Sequence, residues 1–191
     1  QLSGFNNVAS PAIDLSRLTL YSTHNLISTN AAIGVSEDYV KSGGNSETRY
    51  ITRTVTLADG QDAEDIQVTI SGYRPPSTDI KIYAKILNGS DTGVFAQAPW
   101  IELIKKNGGD DLYSSLGNRN DFKEFVYGFS PAYMIGKGGV VRYTSNGVNY
   151  DGYKYFAIKI VLISNTSTDT GLTNTAVVPR VADLRCIALQ V

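Results

Sequence analysis

The sequence contains one histidine and one cysteine, so proton shuttling and thiol chemistry each have a single candidate. His24 sits in "YSTHNL", and any Ser-His-Asp or Cys-His arrangement would rest on it alone. Ser130 in "GFSPA" lacks the second glycine of a nucleophile elbow, and Pro131 removes an amide that an oxyanion hole would use. "IGKGG" imitates a phosphate loop without its chemistry: Gly138 follows Lys137 where Ser or Thr is needed to hold magnesium. The acidic run "LADGQDAED" offers Asp59, Asp62, Glu64 and Asp65 as oxygen ligands. Counted from Asp59 as a calcium loop, it places Glu64 where glycine must turn the chain and Ile70 where a bidentate glutamate belongs. A polar turn before a strand explains it better. Asp110 and Asp111 in "NGGDDLY" carry no readable ligand spacing, and zinc has no Cys/His cluster. No catalytic residue, metal site or cofactor is expected.

Aromatic rings offer the other route to function. Twelve tyrosines and one tryptophan supply flat apolar faces with polar handles, and Tyr143, Tyr150, Tyr153 and Tyr155 crowd one stretch. Trp100, Tyr143, Tyr150 and Tyr153 are the candidate contact residues for a partner or a host-surface glycan. Against this stands the ordinary role of tyrosine on half-buried strands, where the ring fits the pleat.

The elements that must position these rings are strands. From Arg49 onward the apolar period is two, in short runs bounded by Gly, Pro, Asn and Asp. "RYITRTVTL", "DIQVTIS", "TDIKIYAKIL", "GVVRYTS", "GVNYDGY", "KYFAIKIVLIS" and "VADLRCIALQV" read as strands in order. Alternation in "TDIKIYAKIL" points Ile80, Ile82, Ala84 and Ile86 to a core, and Lys81, Tyr83 and Lys85 to solvent or another protein. "FAIKIVLIS" is apolar on both faces apart from Lys159 and Ser164, which predicts a central strand covered on both sides. "GYRPPSTD" is a loop, because two prolines remove ladder donors. Asn146-Gly147 predicts a two-residue hairpin turn, since both central positions want positive φ. Helical signals are limited to short pieces at 36–40 and in "NDFKEFV" at 120–126. Residues 107–139 read as one long Gly-rich loop, functional or covering. The fold class is all-β, an antiparallel β-sandwich of jelly-roll type. Residues 1–45 form an extended N-terminal arm and linker, ending in "KSGGN", and 46–191 form the sandwich.

Composition agrees. The 191 residues, 42% apolar and 18% charged, suffice for one domain with a real core. A net charge of −1 lacks the basic surplus that nucleic-acid binding requires. No apolar run approaches the ~20 residues of a membrane helix, so neither nucleic acid nor membrane is an expected partner. Lone Cys186, in "LRCIALQV", reads as an apolar strand position.

With the strands placed, the wording "SPAIDLSRLTLYSTHNLI", "RYITRTVTLADGQDAEDIQVTISGYRPPSTDIKIYAKIL", "APWIEL", "YKYFAIKIVLIS" and "VPRVADLRCIALQV" resembles the C-terminal part of large virion structural proteins of tailed phages, notably T4-like phages of marine cyanobacteria. In those proteins a line like "RYIT…VTLADG" precedes an alternating strand, a proline loop and "TDIKVYYK". A Pro-Trp pair follows, and the chain ends on "P-R…DLRAIALQ". The resemblance runs from Ser10 to Val191, and departs at Cys186, where a small residue is usual. It implies a non-enzymatic structural component of the particle, of tail or baseplate type, located in the virion. The implied partners are other virion proteins and further copies of this chain. It also implies that Val191 is a true C-terminus and Gln1 an arbitrary start. Receptor or glycan binding, as in a tail fibre or adhesin, is the competing expectation.

Overall fold

The computed structural model describes residues 9–14, 19–24, 49–108, 111–163 and 178–190. The predicted helical piece at 36–40 and much of the arm lie outside them. Twelve strands and one 3₁₀ turn (Phe95–Gln97) make up the regular structure of the described residues. None of their helical structure is long and apolar enough to cross a membrane.

In the arm, β1 (Ala9–Asp14) and β2 (Thr19–His24) pair antiparallel as a two-stranded ribbon. The domain follows with β3 (Arg49–Ile51), β4 (Val55–Thr56), β5 (Asp65–Tyr73), β6 (Asp79–Leu87), β7 (Ile101–Lys105), β8 (Lys123–Gly128), β9 (Arg142–Ser145), β10 (Val148–Asp151), β11 (Tyr155–Ile163) and β12 (Arg180–Leu189). β9 and β10 form a separate hairpin, and the remaining eight strands make one antiparallel sheet in the order β12-β5-β8-β7-β6-β11-β3, with β4 also on β11. Strands β6, β7 and β8 follow as a meander, and β5 lies beside β8, a Greek-key arrangement.

The sandwich is this one sheet curled on itself. Its two arms, β3/β4-β11-β6 and β8-β5-β12, are joined through β7 and close on a common core. Ile80, Ile82, Ala84 and Ile86 of β6 meet Ile66, Val68 and Ile70 of β5, Phe125 and Tyr127 of β8, and Phe156, Ile158 and Ile160 of β11. Each buried isoleucine contributes roughly 1.5–3 kcal/mol of transfer free energy. Contact between the arms is direct. The Tyr127 hydroxyl of β8 donates to the Ile80 carbonyl of β6 at 2.9 Å. At Gly72 of β5 an added Cβ would stand 3.0 Å from Ile80 Cδ1 and 3.3 Å from Phe125, so a larger residue would require these side chains to give way by a few tenths of an ångström. The proline loop 74–78 carries the chain from one arm to the other, and it is held by Asp79, which accepts from Arg74 Nε and Lys105 Nζ, each at 3.0 Å.

Several expectations hold. The predicted faces of β5 and the apolar face of β6 are buried, β11 is covered on both sides, and Asn146 (φ 50°) and Gly147 (φ 77°) turn the β9–β10 hairpin. Others are corrected. "NDFKEFV" contributes to strand β8 and not to a helix, because Phe125 and Tyr127, two apart, both enter the core. The same strand divides 107–139, which is therefore not one loop. "RYITRTVTL" supplies only the short β3 and β4, with most of its side chains exposed. The polar-and-aromatic face of β6 does not meet solvent: Tyr83 is 0% and Lys85 5% exposed, while Lys81 is half-buried against Glu102 at 3.2 Å. The connection between β6 and β7 folds back over that face and covers it with Phe95 and Trp100.

Candidate functional site

Of the four rings singled out from the sequence, the structure brings two together and buries the other two apart from them. Tyr143 on β9 and Tyr150 on β10 are cross-strand partners, stacked with centroids 5.6 Å apart and planes 23° from parallel. Antiparallel register alone sets this contact. The hairpin that carries them is pinned by a two-pronged ion pair, Arg142 Nε to Asp151 Oδ1 at 2.6 Å and Arg142 Nη2 to Asp151 Oδ2 at 2.8 Å. It is fastened to the loop after β6 through the Tyr143 hydroxyl, which donates to Asp91 Oδ2 (2.9 Å) and accepts from the Asn88 amide (2.8 Å). Burial raises the Tyr143 phenol well above its ordinary pKa. Burial works against ionisation of Asp91, but bonds from the Gly93 amide and the Tyr143 and Ser145 side chains outweigh it and hold the carboxyl below its usual value. A polar cleft of about 240 Å³ opens beside this junction, lined by Asp91, Val94, Gln97, Tyr143, Ser145 and Asn146 among others.

Trp100 lies elsewhere, beneath the returning β6–β7 connection. Its ring shares a layer with Tyr83, Phe95, Ala157, Val161 and Ile163 on the outer face of β6 and β11. Two lysines run through this layer. Lys85 Nζ is 4.9 Å from the Trp100 centroid and donates to the Ala96 carbonyl at 2.9 Å. Lys159 Nζ is 4.4 Å from the Tyr83 centroid and 5.1 Å from that of Trp100, and Lys159 is 0% exposed. Desolvation lowers the Lys85 pKa, while the ring faces favour its charged form. Trp100 Nε1 has no hydrogen-bond partner among the described residues, so packing holds the indole. Tyr153 is a core residue: fully buried, edge-on to Phe129 and Phe156, with its hydroxyl donating to the Asp65 carbonyl at 2.9 Å. Trp100 and Tyr153 therefore present no ring face to a ligand, a correction that follows from their burial.

A mostly apolar cleft lies at a place the candidate contact residues did not indicate. The two ends of the curled sheet, β3 and β12, stand on either side of a cleft of about 390 Å³. Tyr50, Ile160 and Leu162 form one wall, and Val181, Ala182 and Leu184 the other. Apolar side chains cluster on these rims: Tyr50 is 60%, Ile51 44%, Val55 41% and Ile187 51% exposed. Val181, Leu184, Cys186 and Ala188 sit on the core side of β12 yet are only partly buried, because among the described residues β12 is the end strand of the sheet. Burial pushes the Cys186 thiol up to about 11, in keeping with an apolar strand position. From its residues "RYITRTVTL" reads as one strand, with nothing to mark it as the end of a sheet. A strand's position at the end of a sheet is not written in its own residues.

No family model, no curated protein and no solved structure matches the chain.

Proposed function

We propose that this chain is a structural virion protein of a tailed phage, a tail or baseplate component that joins neighbouring subunits through the edges of its sheet. The observation that carries the reading is the cleft between β3 and β12, the two end strands of the sheet among the described residues, where a cluster of exposed apolar side chains lies. Exposed edges of this kind are templates for another chain, and folded proteins that remain single cover, charge or shorten them. The resemblance in wording to tail-associated proteins supplies the setting. The deciding experiment is mass spectrometry of purified particles followed by a reconstruction. The chain is expected as a stoichiometric component with its β3 and β12 rims against neighbours. Its absence from particles overturns the reading.

A second reading, a receptor- or carbohydrate-binding module, is favoured by one observation: the stacked Tyr143–Tyr150 pair beside a polar cleft holding Asp91, Gln97 and Asn146. It loses Trp100 and Tyr153 as contact residues. Saturable glycan binding on an array, abolished by Tyr150→Ala, supports this reading, and a blank array removes it.

A further inference from the structure

The two-stranded ribbon β1–β2 poses a problem that the cleft can solve. A lone hairpin is marginal in water and needs a third strand or a packed face to persist. Among the described residues the ribbon pairs only within itself, as a sheet separate from the eight-stranded one. In the sheet, β12 is an end strand whose outer edge pairs with no other strand among the described residues. A bulge between Val181 and Asp183 interrupts it, and from Asp183 to Leu189 its register is regular. That regular stretch spans seven residues by its register, and each ribbon strand has six. Donor and acceptor edges therefore match in length.

We infer that the β1–β2 ribbon of one copy adds to the β12 edge of a second copy and covers the apolar cleft between β12 and β3. The ladder supplies main-chain hydrogen bonds, and the covered wall of Tyr50, Val181, Ala182 and Leu184 supplies apolar burial. A second copy is named as the occupant because, among the described residues, the chain's own ribbon pairs within itself and leaves the outer edge of β12 open. Each copy carries one donor ribbon and one different acceptor edge, so the contact is head-to-tail and propagates into a ring or an open filament. This deepens the assembly reading by naming the partner. The two fail separately: a chain that is present in particles but does not self-associate loses only this inference.

The test uses the full chain and two variants. Ala182→Arg places a charge in the cleft at an exposed position, and Leu20→Pro removes a backbone N–H from the ribbon. Sedimentation velocity of the unaltered chain is expected to show species larger than the monomer that grow with concentration. Both variants are expected to sediment as monomers with the domain's melting transition kept. Mixed with each other they should recover a 1:1 dimer, because one retains the donor and the other the acceptor. A monomeric unaltered chain at every concentration overturns the inference. Association that survives Leu20→Pro also overturns it, since the edges then pair without the ribbon.

Discussion

The middle of the sheet and its rims obey opposite rules. In β6 and β11 even lysines are buried: Lys159 and Lys85 lie under aromatic rings on the face away from the core. In β3 and β12 even isoleucine and tyrosine are exposed, as Ile51, Ile187 and Tyr50 show. Central strands have neighbours on both sides, so every position is covered and polar groups must find partners inside. Among the described residues the rim strands pair on one side only, and apolar side chains on their faces stay exposed. Buried packing is thus concentrated in the centre and exposed apolar area at the rims.

Substitutions can break or sharpen that contrast, beginning with the centre. Ile82→Asp puts a carboxylate in the middle of β6, at a position 0% exposed, and is expected to abolish the cooperative transition in thermal melts. A parent-like melt would remove the core assignment. Phe125→Ala in β8 opens a cavity where the arms meet and should cost about 3–5 kcal/mol in chemical denaturation. Tyr143→Phe removes the hydroxyl shared by Asp91 and the Asn88 amide, with an expected loss of about 0.5–1.5 kcal/mol. It should also alter the acid limb. Asp91 has a depressed folded-state pKa, so its contribution is complete above the ordinary carboxyl range and is lost as pH falls through the depressed value. Stability measured against pH should therefore fall less steeply in acid for Tyr143→Phe than for the parent. Smallest of all, Ile187→Lys on the exposed side of β12 should change stability by no more than about 0.5 kcal/mol while weakening association. A large loss of stability there would place Ile187 in a core that the rim does not have.

How much of this was legible in the sequence follows the same division. The apolar faces of β5, β6 and β11 were readable because alternation reports which residues share a side. The outer face of β6 was not: alternation separates Tyr83 and Lys85 from the isoleucines, but whether a loop lies over them depends on the path of residues 88–100. β8 was hidden because "NDFKEFV" mixes charges with apolar residues at spacings that fit a helix as well as a strand. Among the candidate contact residues, ring type was a guide to neither burial nor position. Tyr143 and Tyr150 came together through hairpin register, whereas Trp100 and Tyr153 were drawn inward by their apolar area. The cleft was the least legible feature, because it belongs to two strands more than a hundred residues apart, and neither encodes that it lacks a neighbour.

The most direct test of the division between a self-sufficient centre and partner-seeking rims is amide hydrogen exchange of the full chain, dilute and concentrated. Amides of β6 and β11 should exchange slowest and at rates independent of concentration, while those of β12 from Asp183 to Leu189 should slow by about tenfold or more on concentration. Rim amides that exchange at the same rate in both samples, or new protection confined to the β9–β10 hairpin, would contradict the account.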